Sequence, residues 1–171
     1  MEGLTTTEPV GAATPDDALA TPAAGGILLR LGGSRYVVAM ADVAEVIPVP
    51  EVTRIPGAPV WLSGVGNWRG RMLAVLDIRS LLGAATTPLP TSARLVVLRS
   101  GLITAAVVAE AVPGVYDVSM DHPAPAPPTL SPDAAILVTG QVEDELGPIG
   151  VLDLEAVLGL RDRVDRRRHG G

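Results

Sequence analysis

Met72-Leu73-Ala74-Val75-Leu76 is an unbroken apolar run between Arg71 and Asp77. It is too short for a core helix. An extended segment that is apolar on both faces must be buried twice, inside a closed barrel or between two layers. Gly64-Val65-Gly66-Asn67-Trp68-Arg69-Gly70 precedes it, and the two together predict a hairpin over 64–69 and 71–77 that pivots at Gly70.

The same grammar of short strands and tight turns runs through most of the chain. Strands are predicted at 27–31 and 35–40 around Gly32-Gly33-Ser34, with Asp42 capping a short helical turn over 43–46. Pro48 and Pro50 restrict 46–51 to an edge or irregular segment, residues 55–59 read as a turn, and 60–63 as a single helical turn. A short helix over 78–82 should stop at Gly83. Beyond Pro88 and Pro90, strands are predicted at 94–99, 102–110 and 115–119, then a proline-rich loop at 121–133. Strands return at 134–142 and 148–152, and Asp153 caps a closing helix over 154–160.

About nine short strands without a long helix predict a mainly β fold of one or two small antiparallel barrels rather than a βαβ sheet. The break near 83–92 suggests two subdomains of similar size. Residues 1–26 carry almost no large apolar side chains and read as a flexible leader. Residues 161–171 hold five arginines and read as a solvated tail.

Composition removes whole classes of chemistry. All 13 basic residues are arginine, which excludes a P-loop lysine, a Schiff-base lysine and a Ser-Lys pair. With no cysteine there is neither disulfide nor thiolate chemistry, in keeping with a cytoplasmic protein. A net charge of -6 argues against a nucleic-acid partner. No apolar run approaches a membrane span, and the start lacks the pattern of a signal peptide. Aromatics make up only 2% and phenylalanine is absent, so the core must come from branched aliphatics.

Catalytic and metal constellations are hard to assemble. His122 lies beside Asp121 and near Ser119, but adjacency in a loop does not build a triad. His169 is in the tail, and His122 has no ligand partner at i+3 or i+4. The acidic stretch Glu143-Asp144-Glu145-Leu146-Gly147 suits a solvated hairpin turn. The glycines at 64–70 have the wrong spacing for a phosphate loop, and a strand follows them where a helix is required. No catalytic residue, cofactor or metal site is assigned. Arg69 admits two roles, a turn-fixing donor to nearby carbonyls or an exposed guanidinium beside an aromatic, as in interface hot spots. Glu45 admits the same choice between a surface charge and a contact.

Four blocks carry a wider pattern: Val43-Ala44-Glu45-Val46; Val52-Thr53-Arg54-Ile55-Pro56-Gly57-Ala58-Pro59; Gly64 to Gly70 as quoted; and Val75-Leu76-Asp77-Ile78-Arg79. In order and spacing they resemble the CheW-like domain over residues 27–160. That resemblance implies two small five-stranded, SH3-like β-barrel subdomains with short helices. It also implies a non-enzymatic scaffold that couples the cytoplasmic tips of methyl-accepting chemoreceptors to the regulatory domain of the histidine kinase CheA. Such a protein is cytoplasmic and recruited to membrane-associated arrays. The alternatives are an adaptor of a non-flagellar pathway (type IV pili or development) or a small-ligand-binding barrel. By resemblance, Val43, Glu45, Gly64, Arg69 and Val115 match receptor or array contacts, while Asn67, Trp68, Gly70 and Asp77 belong to the structural motif. Trp68 stands where leucine is usual, and Glu110 where the family commonly has a Val-Asp-like step.

Overall fold

The computed structural model describes residues 25–117 and 119–168; residues 1–24 of the leader expected over 1–26 and the end of the tail lie outside them, while Gly26, expected in the leader, opens the first strand. Twelve strands form two six-stranded sheets. β1 (Gly26–Leu31) and β2 (Ser34–Ala39) make the first hairpin, and a 3-10 turn at Met40–Asp42 leads into β3 (Val43–Pro48). β4 (Val52–Thr53), β5 (Leu62–Trp68) and β6 (Arg71–Leu76) follow, then β7 (Arg94–Ser100), β8 (Ile103–Ala109) and β9 (Ala111–Tyr116). β10 (Ala124–Pro125), α1 (Pro132–Leu137), β11 (Val138–Asp144), β12 (Gly147–Leu152) and α2 (Leu154–Arg168) complete the chain.

One sheet has the order β10-β11-β12-β2-β1-β9 and the other β3-β7-β8-β6-β5-β4. Pairing is antiparallel except for β12 on β2 and β6 on β8. The expected division near 83–92 is corrected by this order. That stretch joins β6 to β7 inside one sheet, while the chain passes between sheets after β2 and again after β8. Prolines had marked a break in pattern there. Sheet membership, however, is decided by long-range pairing, and β8 supplies the partner that both β6 and β7 need.

Each sheet curls around its own apolar cluster, and a third, larger cluster fills the seam between them. Val37, Tyr116 and Ile149 centre the first sheet; Leu73, Val75, Leu95, Val97, Ala106 and Val108 centre the second. The seam takes Leu29 and Leu31 from one sheet, Leu76, Val96, Leu98 and Val107 from the other, and Leu137, Val157 and Leu158 from the helices. Strands β7 and β8 face both the seam and the second sheet's interior, so they are apolar throughout their middles. β6 is buried twice only from Leu73 onward, because Met72 is exposed near the hairpin tip.

Several local expectations shift. Residues 43–46 are not a helical turn but the start of β3, whose Val43, Val46 and Ile47 suit a strand paired with β7. Residues 60–61 form a turn leading directly into β5. Residues 134–137, expected as strand, belong to α1, where Ser131 accepts the Ala134 amide proton and Pro132 occupies the first turn. The strand expected at 115–119 lies at Ala111–Tyr116, and the closing helix runs on to Arg168 through residues expected as tail. Asp153 does cap it, accepting from the Ala156 amide. The turn at 78–83 closes with two bonds of a Schellman motif, Gly83 N–H to Ser80 O and Ala84 N–H to Arg79 O, with Gly83 at φ 81°.

Candidate functional site around Glu45, Trp68 and Arg69

β5 and β6 are joined by Arg69 and Gly70 alone, at φ 52° and 77°. Two consecutive left-handed residues match the twist of a tight two-residue hairpin. Arg69 is the one non-glycine residue at positive φ among those described. Asn67 helps to hold it there, its side-chain oxygen accepting the Gly70 amide at 3.0 Å.

The turn brings three side chains together. The Trp68 indole N–H donates to Glu45 Oε2 at 2.6 Å, and Arg69 Nε donates to the same oxygen at 3.1 Å. The Arg69 guanidinium carbon also lies 5.4 Å from the Trp68 ring centroid, within range of a cation–π contact. Glu45 reaches this cluster from β3, at the far edge of the sheet's strand order, so the contact draws that edge toward the β5–β6 hairpin. The indole hydrogen bond, with Arg69 adding to it, holds the Glu45 carboxyl below its ordinary range against a smaller opposing effect of burial. The Arg69 side chain nevertheless remains 70% exposed. Its Nη1 and Nη2 make no hydrogen bond among the described residues, and its Nε reaches the Glu45 carboxylate rather than a carbonyl.

Other expected site residues are placed differently. Gly64 is buried at φ 145°, and a Cβ there would meet the Thr53 carbonyl oxygen at 2.1 Å. Its role is to let β4 close over β5. Val43 is half-buried against the seam, and Val115 is exposed on β9, an edge strand of the other sheet. Asp77 accepts from the Arg79 amide and is buried.

Sequence reasoning missed Arg79. Its side chain is 2% exposed and donates to both Asp77 oxygens, at 2.9 and 2.8 Å, and to Glu110 at 3.1 Å. The bonds it donates to Asp77, ahead of the one to Glu110, push the guanidinium pKa still higher. Glu110 in turn accepts the Gly33 amide, and its carbonyl accepts the Ser92 hydroxyl. The only visible signal was the Asp-x-Arg spacing directly after a doubly apolar strand. Asp77 and Arg79 also line an open groove of about 800 Å³, together with Arg54, Ile55, Val60 and Leu89. Ser119 bonds Asp121 within its own loop while His122 stands exposed, and no metal-ligating cluster occurs among the described residues. No helix among them is long and apolar enough to cross a membrane.

Comparison with known proteins agrees with this fold. Residues 25–162 match the CheW-like domain family. The chain is 34% identical to Protein PilI of Pseudomonas aeruginosa over 96 residues, which covers 56% of this chain and about half (54%) of PilI. It is 33% identical to Protein FrzA of Myxococcus xanthus, covering 71% of this chain and 76% of FrzA. Chemotaxis protein CheW of Klebsiella aerogenes is 25% identical, with 80% and 82% covered. The crystal structure of the scaffolding protein TtCheW from Thermoanaerobacter tengcongensis superposes with a TM-score of 0.68 at 22% identity, covering 77% of this chain and 89% of that one. With a family match across most of its length and a mainly β scaffold of the same fold, this chain belongs to the CheW-like domain family.

Proposed function

We propose that this protein is a non-enzymatic coupling adaptor that bridges the cytoplasmic tips of methyl-accepting chemoreceptors and the regulatory domain of the histidine kinase CheA. The observation that carries this reading is the exposed Arg69 guanidinium, braced by Trp68 and Glu45 at the tip of a rigid hairpin in a chain of this family. A braced arginine on an aromatic loses little freedom on binding, which is what makes such pairs effective interface anchors. Val43 and Val115 are proposed to extend the contact, with Gly64 shaping it from below. The protein would work in the cytoplasm, recruited to receptor arrays.

Identity to PilI and FrzA is higher than to the CheW-named relative. This favours a non-flagellar chemosensory pathway, of the kind serving type IV pili or development, as the setting. The test is reconstitution with the cognate receptor and kinase, reading kinase autophosphorylation with and without the adaptor. Receptor-dependent kinase activity should appear only when the adaptor is present. Failure to bind either partner at micromolar concentration would sink the proposal.

A further inference from the structure

We infer that Trp68 sets partner choice at the hairpin tip: it occupies Glu45 and leaves Arg69 to receive a carboxylate from the partner. This inference rests on the proposed receptor contact and names its chemistry.

Glu45 is the acidic group in direct contact with the tip, and both donors reaching it converge on Oε2. The indole bond at 2.6 Å is the shorter of the two and is part-buried. Trp68 therefore engages Oε2 of a carboxylate whose side chain is still 32% exposed, while Arg69 spends only its Nε on it. The planar Nη end remains, with four N–H donors in the fork geometry that fits a carboxylate. Arg71 is exposed directly across the hairpin from Trp68 and adds a second positive charge. Beside it, Met72 is 63% exposed and supplies an apolar shoulder. With its one acid engaged from behind, the tip presents positive charge outward. Charge complementarity selects an acidic side chain next to an apolar one on the partner, and disfavours a basic one.

The experiment uses the full-length protein and the receptor tip fragment from the reconstitution, with affinity measured by calorimetry. Trp68→Phe keeps a ring under Arg69 but removes the N–H, freeing Glu45 to compete for the guanidinium. Binding should weaken roughly tenfold, the scale of a lost hydrogen bond to a charged group. Each Asp and Glu of the fragment is then changed singly to its amide. One change should weaken binding to the wild type about tenfold and have less than about twofold effect on Arg69→Met, which identifies the carboxylate that Arg69 holds. A Glu45 carboxyl resonance that titrates at higher pH in folded Trp68→Phe confirms that the indole bond was removed without loss of the fold. Should the wild type fail to bind the fragment, the receptor reading falls and this inference with it. Equal binding by wild type and Trp68→Phe, or a fragment in which no carboxylate couples to Arg69, overturns the inference alone.

Discussion

Arg79 forks across both carboxylate oxygens of Asp77, only two residues away along the chain, at a depth where its side chain is 2% exposed. A bidentate pair this deep is strong when complete and costly when halved, because the remaining charge is left buried without its partner. Arg79→Met should therefore lower stability by about 3–5 kcal/mol, read as a shift in the urea midpoint. Asp77→Asn should cost less, since the amide oxygen still accepts one guanidinium bond. Equal small losses in both would show that the pair contributes little.

Arg69→Glu probes the opposite extreme. The Arg69 side chain is mostly exposed and its bond to Glu45 is a surface one, so the fold should keep its melting temperature to within a few degrees. Receptor-dependent kinase activity should be lost. If the variant unfolds, Arg69 is part of the architecture and the contact role fails.

Two glycines separate space from strain. Gly64→Ala places a methyl against the Thr53 carbonyl at a left-handed φ, and should cost about 3 kcal/mol from the combined clash and strain. Gly70→Ala meets nothing within 4 Å, leaving only the backbone preference, about 1 kcal/mol. Thermal unfolding of the two variants side by side checks the ordering.

Acid should loosen two surface ties. Glu45 is held below its ordinary range first by the Trp68 hydrogen bond, and Asp144 first by Arg35, which grips both its oxygens at 2.7 Å. A carboxylate with a depressed folded-state pKa contributes stability that is present above its unfolded pKa and lost as pH falls through the folded one. Asp42 works in the opposite sense: burial, with Glu155 nearby, raises its pKa, so its contribution fades as pH rises through the carboxylate range. Urea midpoints from neutral to strongly acid pH should fall for wild type, and less steeply for Asp144→Asn.

The hairpin at 62–76 was legible because each signal there is local: a glycine at the pivot, an asparagine in reach of it, and a run with no polar side. The pairing of Trp68 with Glu45 was not, since it depends on the sheet drawing β3 toward β5 across 23 residues of chain. Arg79 was hidden for another reason. Arginine ordinarily marks solvent, and only the two carboxylates folded around it make its burial possible. The short helix α1 was missed because Ala134-Ala135-Ile136-Leu137 reads equally well as a strand. The decisive sign lay just upstream in Ser131-Pro132-Asp133, a cap followed by a proline fit for the first turn. Similarly, prolines at 88 and 90 marked a pause in the pattern correctly, but a pause in pattern is not a boundary between sheets.

The interleaving of the sheets also governs the order in which the molecule can be made. Strands β3 to β8 are consecutive in the chain, so their sheet can close as soon as Ala109 has left the ribosome. The first hairpin must wait: β2 needs β12, 114 residues later, with Tyr36 paired to Gly150 and Val37 to Val151. Until then β1 and β2 leave an unpaired edge, and cutting the gene near 83–92 would yield two fragments of which neither holds a complete sheet.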